Sequence, residues 1–171
     1  MKKFFTLIAA VAMAASMNAQ TTLIDYPTSQ DGITLHNADN GISFGTVKIH
    51  LNKDNVNVIK VGKSYSASDV VTDNFVELTT EGGFKKGDVV TIAGAFNNAD
   101  DTKKAAIAIF TGAVGEKATA LFTTKQFVNG RLVADEPAEE TYTLAADAAS
   151  LQLGRSGNTA ACITKLTVVR G

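Results

Sequence analysis

The sequence predicts an all-β fold, an antiparallel β-sandwich of jelly-roll type. Short segments repeatedly alternate apolar and polar side chains with a period of two, as half-buried strands do. Glycine, asparagine and aspartate separate these segments at fairly regular intervals and supply the backbone conformations that tight turns need. No long window repeats apolar residues at the spacing of a helix face. Many short strands with almost no helix are typical of two packed antiparallel sheets.

The clearest alternation in the first half of the chain lies at residues 46–51, with Ile49 in the apolar row. The residues that follow keep this alternation up to Val58, but from Ile59 onward the apolar side chains take the opposite phase. Such a slip predicts a β-bulge or a strand end near Val58.

Further strands are predicted along the rest of the chain. They lie at 76–78, 89–96, 105–110, 119–124, 141–144, 150–153 and 163–169. The strands at 105–110 and 119–124 are apolar on both faces, which predicts central positions between two layers. Phe96 shares the phase of the apolar row in its strand, so we expect its ring in the core. The acidic segment 134–140, which contains Pro137, is predicted to be an exposed loop.

Residues 1–19 have the pattern of a secretory signal peptide, which leaves residues 20–171 as a single β-sandwich domain. Two lysines precede an apolar stretch that ends in small residues and is too short to remain as a membrane-spanning helix. Cleavage after Ala19 or after Ala14 fits this pattern. The alternative, a buried amphipathic helix, would need a polar stripe that the apolar stretch lacks. We therefore expect a secreted or periplasmic protein without a membrane span.

Charge and cysteine content narrow the classes of partner and of site. Removal of two lysines with residues 1–19 leaves 14 of the 16 basic side chains against 17 acidic ones. This mildly acidic chain offers no basic patch to phosphates, so we expect no nucleic-acid partner. Cys162 is the single cysteine, which excludes an intramolecular disulfide and a multi-thiolate metal site. Its apolar, strand-like surroundings predict a buried and inert thiol.

Neither the histidines nor the serines predict a catalytic or metal site. His36 and His50 are the only histidines. They could bind a metal from adjacent strands, but two solvated histidines explain the pattern better. The turn at 154–157 superficially resembles a serine nucleophile motif, yet Asn158 stands where that motif needs a glycine and no helix follows.

The acidic pairs Asp100–Asp101 and Glu139–Glu140 are better explained as solvated loop charges than as catalytic groups. Glycoside hydrolysis needs two carboxyl groups that flank the bond, whereas these pairs are adjacent in sequence. Residues 97–101 could supply oxygen ligands to a structural calcium, and this alternative stays open and unassigned. No glycine-rich phosphate loop is present. The sequence therefore predicts no catalytic residue, no assigned metal and no cofactor.

Three motifs resemble a module of secreted proteins from glycan-degrading Gram-negative bacteria. They are Phe44–His50, Glu81–Val89 and Leu153–Thr159, and with the closing strand to Arg170 the resemblance covers about residues 30–170. These modules resemble carbohydrate-binding modules of jelly-roll type. The resemblance implies a polysaccharide or oligosaccharide ligand and a partner enzyme domain, a polysaccharide lyase or hydrolase. No such domain accompanies the module in this sequence, so it either works alone or is the leading piece of a longer polypeptide.

Tyr65, Arg155 and Asn158 are the candidate ligand-binding residues. Sugar rings pack on aromatic faces, and their hydroxyl groups need amide or guanidinium partners. The chain has no tryptophan, and Tyr65 is the aromatic residue best placed for a surface role. The alternative, a core ring with a hydroxyl bonded to backbone, explains Tyr65 slightly better. Arg155 and Asn158 belong to one turn, where Arg155 could donate to a ligand or pair with a carboxylate.

Two functions follow as hypotheses. We expect an exported, non-catalytic module that binds carbohydrate weakly in support of polysaccharide use. The alternative is a structural or adhesive β-sandwich that contacts a partner protein and has no glycan ligand. A groove with an aromatic ring and amides would favour the first, and a broad exposed apolar patch would favour the second. A small hydrolase or lyase is least favoured because no catalytic motif is present.

Export is tested by the N-terminus of the protein recovered from its native host. Mass spectrometry should show a new N-terminus between Ala14 and Thr21, because the two lysines and the apolar stretch direct secretion and cleavage. Intact Met1 in the mature protein would contradict the signal-peptide assignment.

Overall fold

The computed structural model describes residues 20–35, 42–49, 53–132 and 137–171, which form twelve β-strands and no helix. The strands are β1 (Thr21–Tyr26), β2 (Ile33–Leu35), β3 (Ile42–Ile49), β4 (Lys53–Val61), β5 (Val76–Leu78), β6 (Val89–Phe96), β7 (Ala105–Thr111), β8 (Thr119–Thr123), β9 (Val128–Asn129), β10 (Glu140–Thr143), β11 (Leu151–Gly157) and β12 (Ala161–Arg170). The prediction of an all-β fold is confirmed.

The strands form two sheets. Sheet A has the order β10-β6-β12-β4-β3, with β1 beside β12 and β9 beside β6. Sheet B has the order β2-β5-β11-β7-β8. The strand pairings are antiparallel except for the short β6–β9 pairing. From β4 to β7 each successive strand lies in the other sheet, as in a jelly roll. The predicted antiparallel sandwich is therefore confirmed.

The main core lies between the two sheets. Sheet A contributes Ile59 and Ile163 to it, sheet B contributes Ile107 and Leu153, and all four side chains are completely buried. Each such aliphatic side chain stabilises the fold by roughly 1.5–3 kcal/mol relative to an exposed one. Phe96 is also buried in this core, as predicted.

A second apolar cluster lies on the outer face of sheet A and includes Ile49, Val58 and Cys162. Val58 and Ile59 are neighbours in β4, so their side chains point to opposite faces, and both are completely buried. This double burial explains the phase slip in the sequence. The predicted bulge or strand end at Val58 is wrong, because β3 pairs with β4 continuously there and the irregularity lies between Val47 and Ile49. Burial raises the pKa of the Cys162 thiol, in agreement with the predicted inert state.

A third apolar cluster covers the outer face of sheet B. Residues 62–75, the connection from β4 to β5, contribute Val71 and Phe75, which pack with Phe110 of β7. Because its other face lines the main core, β7 is buried on both faces. The predicted central position of residues 105–110 is therefore confirmed.

The same prediction for residues 119–124 is wrong, because β8 is an edge strand of sheet B. Its residues are exposed or half-buried. Leu121 and Phe122 pack against the main core from the side, and the Phe122 ring stacks on Tyr142 with 5.2 Å between centroids. The apolar residues of β8 thus cover the edge of the core between the two sheets, which explains why an edge strand is rich in apolar residues.

β12 pairs with two different strands along one side, and this arrangement divides sheet A. Residues 161–163 pair with β4, and residues 166–170 pair with β1. On the opposite side, the pairing with β6 shifts at Thr164, which marks a β-bulge. Thr164 Oγ1 donates a hydrogen bond to the carbonyl oxygen of Ala93 in β6 (3.3 Å). β4 therefore leaves β12 on one side of the bulge and β1 joins it on the other. We call the opening between β1 and β4 at this point the fork.

Some sequence predictions lie outside the described residues: the signal peptide at 1–19, His36, His50, and the acidic loop before Pro137. The part of the chain that the structure describes contains no helix long and apolar enough to cross a membrane.

Asp88, which is 1% exposed, ties the turn before β6 to the last strand. Its carboxylate accepts two hydrogen bonds from the Arg170 guanidinium (3.0 and 2.8 Å) and one from the backbone nitrogen of Lys85 (2.8 Å). The Arg170 hydrogen bonds are the largest cause that holds the pKa of Asp88 below its usual range. A carboxyl group with a lowered folded-state pKa stabilises the fold above its unfolded pKa, and this stability is lost as the pH falls through the folded value.

We expect Asp88→Asn to lower the free energy of unfolding by about 1–3 kcal/mol at neutral pH, because Arg170 loses its charged partner. Below about pH 4, the free energy of unfolding of the variant should depend less on pH than that of the wild type. Urea denaturation at several pH values measures both effects. Asp101→Asn, at an exposed carboxylate, is the control and should change neither. The same pH dependence in wild type and Asp88→Asn would contradict this role of Asp88.

Candidate ligand-binding groove

The fork in sheet A opens into a cleft of about 550 Å³. Its lining includes Thr164 at the bulge of β12 and Ala93 of β6, while the end of β1 and the start of β4 form its walls. The polar side chains of this cleft are Asp25, Thr28, Asn55, Asn57, Glu139, Thr164 and Lys165.

A second depression of about 280 Å³ adjoins the cleft and shares Tyr26, Pro27 and Asn57 with it. Its remaining lining residues are Gln30, Phe44, Gly45 and Thr46. Because three residues border both spaces, we treat them together as one fork groove. The groove thus joins the end of β1 to the outer strands β3 and β4 of sheet A.

Phe44 gives the fork groove a half-buried aromatic surface. Its ring stacks on Tyr26, with 5.8 Å between centroids and an angle of 28°. Tyr26 is 2% exposed, so it anchors the Phe44 ring against the main core. Phe44 also lines the depression of about 280 Å³, so this residue borders space that is open to a ligand.

Amide groups surround this aromatic surface. Thr46 Oγ1 donates to Asn57 Oδ1 (3.1 Å), which orients the Asn57 amide. No described residue bonds the Asn57 NH2 group, and Asn55 and Gln30 are exposed beside it. An oriented amide beside an aromatic ring and Pro27 suits a ligand that has apolar C–H faces and many hydroxyl groups.

The cleft carries two carboxylates, Asp25 and Glu139, and one ammonium group, that of Lys165. Both Lys165 and Glu139 line the cleft, and Lys165 Nζ forms an ion pair with the Glu139 carboxylate. Both side chains are about half exposed. Among the described residues no basic side chain forms an ion pair with Asp25, which is half-buried.

The structure places Tyr65 in the apolar cluster on the outer face of sheet B, away from the fork groove. Its ring stacks on Phe110, with 4.3 Å between centroids and an angle of 18°. Its hydroxyl group is enclosed and has no hydrogen-bond partner among the described residues. Burial, and secondarily the Asp69 carboxylate, raise the pKa of Tyr65. The ring is thus a packing element, as the alternative in the sequence analysis had it, but the expected bond from backbone to the hydroxyl is not formed.

Arg155 lies directly beside Tyr65, because the backbone nitrogen of Tyr65 donates to the carbonyl oxygen of Arg155 (2.9 Å). The Arg155 guanidinium donates to Gly62 O (3.0 Å), Gly157 O (2.9 Å) and Ser64 Oγ (2.9 Å). It therefore ties the connection after β4 to β11 and pairs with no carboxylate of the described residues.

Asn158 stabilises the turn after β11. Its Oδ1 accepts a hydrogen bond from the backbone nitrogen of Lys104 (2.8 Å), and its own backbone nitrogen donates to Lys104 O (3.0 Å). Each of the three residues singled out in the sequence thus has a structural role. Ligand binding by Tyr65, Arg155 and Asn158 stays a prediction.

The residues of the fork groove were missed in the sequence, although β4 contains one signal for them. Asn55 and Asn57 share the phase of Ile59 and Val61, which face the main core. Two amides in a core-facing row indicate that the row leaves the core at that end of the strand. The sequence contains no such signal for Phe44 and Thr164, because their place in the groove depends on how distant strands pair.

Within the described residues, no three His, Cys, Asp or Glu side chains cluster as metal ligands would. In the 97–101 loop, Asn98 Oδ1 accepts a hydrogen bond from Asp100 N (2.9 Å), and Asp100 Oδ1 accepts bonds from Thr102 N (2.9 Å) and Thr102 Oγ1 (2.7 Å). These oxygens already serve the turn. Glu140, predicted as a loop charge, accepts a hydrogen bond from Lys125 N (2.9 Å).

No protein-family model matches the chain, and no curated protein matches it. Solved structures do match. One is the high-resolution crystal structure of the Clostridium thermocellum N-terminal endo-1,4-β-D-xylanase 10B, with its CBM22-1 and GH10 modules complexed with xylohexaose. The similarity has a TM-score of 0.50 at 12% sequence identity and covers 88% of this chain and 29% of that one. At this identity the likeness shows the fold, a β-sandwich shared with a carbohydrate-binding module.

Proposed function

We propose that this protein is an exported, non-catalytic module that binds a polysaccharide or oligosaccharide weakly through the fork groove. The observation that carries the proposal is the geometry around Phe44, a half-buried ring that borders the 280 Å³ depression with the oriented Asn57 amide in the same lining. Aromatic faces bind the apolar face of a sugar ring, and amides satisfy its hydroxyl groups.

The sandwich fold supports the same proposal. The similar xylanase chain contains a CBM22-1 module and is complexed with xylohexaose, which makes xylo-oligosaccharides a reasonable first probe. This chain spans 29% of the length of that xylanase chain. We further propose that the module supports the use of a polysaccharide by a partner enzyme domain, and that the segment at 1–19 directs it out of the cytoplasm.

The alternative of an adhesive or structural module is less favoured by the exposed surface. The large apolar side chains exposed in the described residues are Val70, Val114, Val128 and Leu132. Val70 and Val114 lie in the connections before β5 and after β7, whereas Val128 lies in β9 and Leu132 follows it beside sheet A. Scattered exposed apolar residues of this kind are ordinary on a protein surface. A groove with an aromatic ring and amides favours a glycan.

The groove is tested by affinity electrophoresis in gels that contain xylan, mixed-linkage glucan or mannan. We expect Phe44→Ala and Asn57→Ala to abolish retardation of the protein, because the first removes the aromatic surface and the second removes the oriented amide. A shallow site of this kind should bind with about −4 to −7 kcal/mol, so high protein concentrations are needed.

The matched controls are Asn158→Ala, Tyr65→Ala and Arg155→Ala, with thermal unfolding measured for every variant. They should keep glycan binding even where they lose stability. If these three lose binding while Phe44→Ala and Asn57→Ala keep it, the ligand binds at the turn after β11 and the groove proposal is wrong. Release of reducing sugar from any of the polymers would contradict the non-catalytic assignment.

A further inference from the structure

We infer, building on the proposed function, that the fork groove selects an uncharged glycan chain and that Asp25 and Glu139 exclude anionic ones. The inference concerns the class of ligand and the residues that determine it. It follows from the distribution of charge along the groove.

Lys165 is the one cationic side chain among the described residues that line the groove. Its ammonium group is already ion-paired with Glu139. Recognition of carboxylates and sulfates in proteins relies on free lysine or on arginine, whose guanidinium can form two parallel hydrogen bonds to one anion. An anionic sugar in the groove would therefore have to compete with Glu139 for the ammonium group of Lys165.

Asp25 adds a negative charge to the same cleft, and this charge repels an anionic ligand. It is half-buried in the wall that β1 provides, and no basic side chain of the described residues is paired with it. Clefts with low-dielectric walls concentrate the field of the charges that line them. A uronate or sulfate group brought into the cleft would meet this carboxylate at close range, and such repulsion is an efficient source of selectivity.

The remaining polar groups of the groove need no charge on the ligand. The oriented Asn57 amide, the exposed Asn55 and Gln30 amides and the Thr28 hydroxyl can donate to and accept from sugar hydroxyl groups. Phe44 provides the apolar surface for a pyranose face. The attractive contacts thus suit any neutral chain, while the charged ones act against an anionic chain.

Isothermal titration with hexasaccharides of equal length tests this inference. The neutral probes are xylohexaose, cellohexaose and mannohexaose, and the anionic probe is hexagalacturonate. For the wild type at low ionic strength, at least one neutral probe should bind about tenfold or more tightly than hexagalacturonate. In the double variant Asp25→Asn/Glu139→Gln, which removes one repelling charge and frees Lys165, the affinity for hexagalacturonate should rise by about fivefold or more.

The same double variant should bind the neutral probe within about twofold of the wild type, and its gain for the anion should disappear in roughly 0.5 M salt, where charges are screened. Asp101→Asn, which removes an exposed carboxylate outside the groove, is the control and should change neither affinity. Hexagalacturonate binding as tightly as the neutral probes, or a double variant that leaves its affinity unchanged, would overturn the inference and leave the proposed function standing. Binding of none of the four probes to the wild type would count against the proposed function itself.

Discussion

The β-bulge at Thr164 is the constraint on which the arrangement of sheet A depends. β12 is the longest strand and lies in the middle of the sheet, so a shift in its pairing changes what lies on both sides. Before the bulge it pairs with β4, and after it with β1. The bulge and the change of partner fall at the same point of β12. The hydrogen bond from Thr164 Oγ1 to Ala93 O stabilises the shifted register, and the cleft lies where the two partner strands separate.

Burial of the outer faces restricts where a ligand could bind and favours the fork as the proposed site. Residues 62–75 cover part of the outer face of sheet B, and the cluster that includes Ile49 and Val58 makes part of sheet A apolar on both faces. Both regions contribute to stability by removing apolar area from water. Polar side chains line the fork, where β4 extends beyond its pairing with β12. The proposed site and the packed residues thus occupy different parts of β4.

Alternation in the sequence predicted the strands and the sandwich because a strand with one buried face must repeat apolar residues with a period of two. It failed where burial does not follow that rule. Val58 and Ile59 are buried on opposite faces, which imitates a bulge in the sequence, and β8 carries apolar residues to seal an edge.

The site was harder to predict for a different reason. Phe44, Asn57 and Thr164 are distant in the chain and meet only through strand pairing and the register shift, neither of which a single sequence specifies. Arg155 lies in β11 and not in the turn that the sequence predicted, and it contacts Tyr65 through a long-range bridge between Ser64 and Arg155. Local patterns showed which residues are in turns and left open which turns meet.

The central claim is that the fork of sheet A is the ligand site, and mapping of amide chemical shifts by NMR tests it most directly. Isotope-labelled protein would be titrated with the neutral hexasaccharide that binds best. The account predicts that the shifts concentrate at Thr28, Gly45, Thr46, Asn57 and Lys165, the residues that border the fork groove. Saturable shifts confined instead to Tyr65, Arg155 and Asn158 would contradict it, since those residues lie on the outer face of sheet B and in the turn after β11.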